Sequence, residues 1–124
     1  MKTPKPVMER RRSVRIAEKL PFTIGHQDYE EEAVTVNISA NGVLCLVKKD
    51  FPLMTQFKMA LSLPAVGRKG ARQGRTIPMK GVVVRKDRDA LSKLFLLAIF
   101  VSDIKPADRI FLEKFIESRL SADV

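Results

Sequence analysis

The sequence predicts a mainly β protein: a six-stranded antiparallel β-barrel with one C-terminal α-helix. Three observations carry that expectation. Apolar and polar residues alternate in 33–39 and 56–63, as in strands buried on one face. Clusters of turn-forming residues separate runs of strand length between residues 20 and 101. Only after residue 103 does the apolar spacing become that of an amphipathic helix.

Taken in order, residues 1–9 hold two prolines and three charges and little apolar material. Residues 1–15 are expected to form a flexible basic arm, and 16–124 the barrel and its helix. Leu20 to Gln27 reads as a first strand, with Phe22 and Ile24 on one face and Pro21 at a strand start. Asp28-Tyr29-Glu30-Glu31 reads as a polar turn. In Ala33 to Ser39, Val34, Val36 and Ile38 face one way, and Thr35, Asn37 and Ser39 the other. Ala40-Asn41-Gly42 reads as a hairpin turn, with Asn-Gly supplying positive φ. Val43 to Lys48 returns as the next strand.

Beyond Pro52, Gln56 to Leu63 puts Phe57, Met59, Leu61 and Leu63 on one face. Pro64 to Gly74 is rich in glycine and cations and reads as a loop, serving a partner or simply solvated. Thr76 to Arg85 and Leu94 to Val101 complete the strands, joined by the charged turn Lys86 to Ala90. Closing them into a barrel removes the exposed edges. Asp103 and Pro106 supply helix-start chemistry. Ile110, Phe111, Leu112, Phe115, Ile116 and Leu120 then recur at helical spacing, which predicts a helix over 107–120 anchored by Phe111 and Phe115.

A chain of 124 residues is one domain with room for a core, and 45% hydrophobic content is ordinary for a globular protein. Its longest apolar run, Leu94 to Val101, has eight residues, far short of the ~20 of a membrane helix. The basic N-terminus is followed by no apolar segment, so no secretory signal is expected. The single Cys45 excludes a disulfide within the chain and reads as a core thiol, which points to the cytoplasm. Net charge is +9. Residues 1–15 carry six cations against one acid, and residues 67–88 eight against one. Such a surface attracts anions: nucleic acid, nucleotides or acidic head groups.

Several chemistries are missing. One histidine, His26, and one cysteine assemble no histidine–cysteine metal cluster. No glycine-rich phosphate motif follows a strand and opens a helix. Ser39 has no histidine near it in sequence, and Glu113 and Glu117 belong to a solvent face. The expectation is a non-enzymatic binding module without metal or cofactor.

The charge has one focus. Arg10, Arg11, Arg12 and Arg15 fall within six positions. Arginine is always charged, and its planar fork suits phosphates and flat rings. Arg11-x-x-x-Arg15, followed by Asn37-x-Ser39-x-x-Gly42, resembles the two-part signature of PilZ domains, RxxxR and [D/N]xSxxG. Each half alone is weak; together and in this order they are specific. The resemblance covers about residues 9–120 and extends to Ala98-Ile99-Phe100-Val101-Ser102-Asp103-Ile104, with Ala98 where the family often has glycine.

PilZ domains are bacterial receptors for the second messenger cyclic di-GMP. The resemblance implies a receptor whose ligand-binding residues are Arg10, Arg11, Arg15, Asn37, Ser39 and Gly42. It implies that ligand folds the arginine arm over the barrel and changes a surface read by a downstream protein. Arg10, just before the motif, leans toward two stacked, intercalated ligand molecules. The residues fit such a ligand: arginines for phosphates and guanine edges, Asn37 and Ser39 for a base edge, Gly42 for an unobstructed turn. Two other readings stand beside it. A small basic barrel could bind nucleic acid, though seven Phe, one Tyr and no Trp, mostly at core positions, leave few stacking platforms. A PilZ-like adaptor could bind protein without ligand, against which the intact signature argues.

Overall fold

The computed structural model describes residues 14–64 and 74–122, the side chains of 121 and 122 excepted. Six strands, β1 (Pro21–His26), β2 (Tyr29–Ile38), β3 (Gly42–Val47), β4 (Gln56–Leu63), β5 (Arg75–Arg88) and β6 (Phe95–Ile104), precede one helix, α1 (Pro106–Ala122). The strands form a closed barrel in the order β1-β2-β3-β6-β5-β4, every pair antiparallel. The closing ladder joins β1 to β4, from Phe22 opposite Leu61 to Gly25 opposite Lys58. The expected mainly β fold with a C-terminal helix is therefore present.

Alternation fills the barrel. Phe57, Met59, Leu61 and Leu63 of β4 point inward, as do Val43, Cys45 and Val47 of β3 and Leu97, Ile99 and Val101 of β6. Leu112, Phe115 and Ile116 of α1 complete the same core. Ile110 and Leu120, expected on that apolar face, are instead exposed, because the buried stripe is the narrower one through 112, 115 and 116. Phe115 is buried, whereas Phe111 is half-buried under Arg75, whose guanidinium lies 4.9 Å from its ring. Arg75 also pairs at 3.0 Å with Asp108 in the first helical turn.

The expected polar turn at 28–31 is a correction. The reversal is at Gln27–Asp28, with Gln27 at φ 55°, and β2 already begins at Tyr29. Glu30 and Glu32 face solvent. Glu31 points inward, where its carboxylate accepts from the Tyr29 hydroxyl (2.6 Å) and the Lys48 amide (2.6 Å). A buried carboxylate tolerates this only because both oxygens are bonded. Its hydrogen bond first, then desolvation and its negative charge, hold the Tyr29 phenol above its ordinary pKa.

The face assignment of β2 also changes. Val34 is exposed and Thr35 buried, while Ile38 is buried as well. A β-bulge between Thr35 and Asn37 inserts an extra residue, so both Thr35 and Ile38 point inward with Val36 and Asn37 between them. β5 runs to Arg88, three residues past its expected end, so the last hairpin turns later, where the Asp89 carboxylate accepts from the Ser92 amide (2.9 Å) and hydroxyl (2.6 Å). The basic loop lies largely outside the described residues.

Candidate functional site

The site begins with a fixed segment on the outer wall of the barrel. Ile16 is buried and makes an isolated bridge to Ile38, amide to carbonyl in both directions at 2.9 and 3.0 Å. Thr35 clamps the residues that follow: its hydroxyl donates to the Glu18 carbonyl (2.6 Å) and accepts from the Leu20 amide (2.8 Å). The bulge that turns Thr35 inward turns Asn37 outward. Arg15, one residue before the bridge, therefore lies beside Asn37, and its Nη1 donates to Asn37 Oδ1 at 2.8 Å. Two side chains 22 positions apart thus share one exposed hydrogen bond.

The turn after β2 supplies the next parts. Ser39 is 1% exposed, and its Oγ accepts from the Asn41 amide (3.2 Å) and the Gly42 amide (3.1 Å). Its own amide bonds the Gly42 carbonyl (2.9 Å). Ser39 was expected to share a face with Asn37; the strand ends at Ile38, and the hydroxyl is spent inside the turn. Positive φ at Asn41-Gly42 was also expected, and neither residue has it, because the reversal is spread over four residues between Ile38 and Val43. What favours glycine at 42 is tight surroundings instead. A Cβ there would sit 3.1 Å from the Ile99 carbonyl oxygen and 3.7 Å from Nη2 of Arg15. Arg15, Asn37 and Gly42 are thus brought together, with Ser39 buried beneath them; Arg10 and Arg11 lie outside the described residues.

Two further arginines, not singled out in the sequence, tie α1 to this region. Arg109 Nη1 donates to the Ala40 carbonyl and to Asn41 Oδ1, both at 3.0 Å. Arg119 Nε reaches both carboxylate oxygens of Glu18 at 3.0 and 2.9 Å, with its guanidinium 4.6 Å from the Phe115 ring. No local pattern announces either contact, since both partners are about 70 or more residues away. The region is a shelf rather than a cavity. A groove of about 760 Å³ is lined by the β1–β2 turn together with Gln56, Phe57, Lys58, Lys80, Gly81 and Ser102, and includes none of the signature residues. Among the described residues no group of acids, histidine and cysteine is placed to hold a metal ion, and no helix is long and apolar enough to cross a membrane.

The sequence profile of the PilZ domain matches residues 9–118. The chain belongs to the PilZ domain family. Solved structures that resemble this PilZ domain include two of bacterial proteins. The structure of Bacillus subtilis inhibitor of motility (MotI/DgrA) aligns with a TM-score of 0.76 at 23% identity, over 88% of this chain and 51% of that one. The chain thus spans about half of that protein's length. The PilZ domain with c-di-GMP of YcgR from Escherichia coli aligns with a TM-score of 0.58 at 15% identity, over 91% of this chain and 94% of that one. At these identities the likeness concerns the fold. No curated protein sequence matches the chain. In this PilZ domain the barrel positions Asn37 and Gly42 beside Arg15 on one outer face, with Ser39 buried in the turn behind them.

Proposed function

We propose that this PilZ domain is a non-enzymatic receptor for cyclic di-GMP. The observation that supports it best is the contact of Arg15 with Asn37, which unites the two halves of the signature on an exposed face. Arg15 there offers a charged fork that is held in place without being buried, so a phosphate or a guanine edge can compete for it. Asn37 brings a donor and an acceptor to the same spot. Ser39 supports the site from below by fixing the turn. Arg10 and Arg11 would add further cations from the chain before Arg15, closing over the ligand, and Arg10 favours two stacked ligand molecules. The output would be a changed surface for a separate protein, and α1 is the natural reporter because Arg109 and Arg119 bond the segments that carry the signature. The YcgR PilZ structure was solved with c-di-GMP, and the resemblance in fold is consistent with the same ligand class here.

Calorimetric titration with cyclic di-GMP tests this, with GTP and cyclic di-AMP as controls, at two salt concentrations. Binding of cyclic di-GMP alone, with modest salt dependence, is expected, and its inflection gives the stoichiometry. Absence of heat from a folded sample would overturn the receptor reading in favour of a ligand-free adaptor. Binding of any polyanion, lost steeply with salt, would point to nucleic acid.

A further inference from the structure

The outer wall beside Arg15 and Asn37 is apolar. In the strand register, Asn37 of β2 stands opposite Leu44 of β3, and Leu44 opposite Ala98 of β6. In the next row Gly42 stands opposite Phe100, and Phe100 opposite Val82 of β5. Leu44, Ala98, Phe100 and Val82 occupy the outward phase of their strands, since Val43, Cys45, Ile99, Val101 and Val83 are buried. Phe100 is 50% exposed, although a phenyl ring is the costliest side chain of this wall to leave in water. A single exposed apolar residue means nothing, but here it joins a contiguous strip. Strands lie about 4.8 Å apart, so the strip from Asn37 to the β6 row spans roughly 10 Å. It is a polar edge, Arg15 with Asn37, running into an apolar floor that ends at an aromatic ring. Two small residues keep that floor low: Ala98, and Gly42, where a Cβ would point toward the Arg15 guanidinium.

We propose that Phe100 is a ligand-contacting residue of this site, the aromatic surface against which a guanine base of the cyclic dinucleotide lies while Arg15 and Asn37 take its polar edge or phosphate. This rests on the receptor reading. A purine has just this duality: polar edges and an apolar face that stacks on aromatic rings regardless of hydrogen bonding. The pairing separates two jobs. Arg15 recognises charge and edge; Phe100 contributes face-to-face contact that salt does not screen.

The test is titration of wild type, Arg15→Ala, Phe100→Ala, Phe100→Thr and Phe100→Tyr with cyclic di-GMP at low and high salt, alongside thermal melts. Phe100→Ala is expected to weaken Kd at least about fivefold, the low end for loss of a base–aromatic stack, and by the same factor at both salts. Phe100→Tyr keeps wild-type affinity. The salt sensitivity of binding falls in Arg15→Ala only. Phe100 lies outside the core, so the melting temperature stays near that of wild type; should the alanine variant be unstable, the strand-favouring threonine variant carries the comparison. Wild type that binds while both truncations lose less than about fivefold overturns this inference and leaves the receptor reading intact, the strip then belonging to a protein contact. Wild type that does not bind overturns both.

Discussion

Ser39→Ala separates two roles that the same hydroxyl could play. If Ser39 served the ligand alone, its removal would leave the fold untouched. In the structure its Oγ instead holds the Asn41 and Gly42 amides, and Gly42 is buried. Alanine leaves the Gly42 amide without a partner, which costs about 1–3 kcal/mol; the Asn41 amide is only part-buried and recovers much of its loss from water. The backbone bond from the Ser39 amide to the Gly42 carbonyl survives. The expected loss is about 2 kcal/mol in urea unfolding. For a domain of this size that is a fall of roughly 6–10 °C in melting temperature. Hydrogen exchange gives the same result locally, with the Gly42 amide among those that speed up most. A stability change below about 0.5 kcal/mol, the scatter of ordinary surface substitutions, would refute the turn-clamping role and return Ser39 to the ligand.

Arg15→Ala is expected to weaken cyclic di-GMP binding by about 1.5–3 kcal/mol, measured by calorimetry, with little change in melting temperature because the residue is exposed. Gly81→Ala should destabilise by about 1–3 kcal/mol in denaturant unfolding, since a Cβ would fall 2.5 Å from Ile99 Cγ2, 2.6 Å from Met59 Cε and 3.0 Å from the Phe100 carbonyl oxygen. Arg109→Ala removes the donor shared by Ala40 and Asn41 and should cost about 1.5 kcal/mol, with faster amide exchange in both the β2–β3 turn and α1. Burial, and secondarily the Glu31 charge, pushes the Cys45 thiol from 9.0 up to about 12. The folded state thus keeps a proton that the unfolded state releases, so stability is intact below pH 9 and declines between pH 9 and about 12. Cys45 contributes up to about 1.4 kcal/mol per pH unit to that decline, which unfolding curves of Cys45→Ala should lack, and native Cys45 should resist thiol reagents until unfolding.

Legibility in the sequence followed how local the determinants were. β4 was readable to the residue because its alternation is unbroken and Pro52 and Pro64 bracket it. The start of β2 was hidden because Glu30, Glu31 and Glu32 look like a turn; the partners that let Glu31 point inward, Tyr29 and the Lys48 amide, exist only in three dimensions. The bulge that reverses Val34 and Thr35 has no marker such as glycine. At the site, the signature residues Arg15, Asn37 and Gly42 were identifiable, and their proximity follows from the Ile16–Ile38 bridge. Phe100 was invisible because the run from Leu94 to Val101 is apolar throughout, so no polar residue reveals which side faces out. Arg109 and Arg119 looked like ordinary cations on a helix until their distant partners were known.

Ring closure limits how this domain meets other proteins. Each of the six strands has a neighbour on both sides, so no described strand is open along its whole edge; one-sided pairing is confined to strand ends, the start of β2 and the end of β5 among them. Strand addition, the usual way for β proteins to recruit an extended peptide or to stick to a copy of themselves, finds only those short ends to start from. Whatever this domain tells a partner is therefore written chiefly in side chains, on the helix or on the outer wall, and substitutions there can retune the message while the ring stays shut.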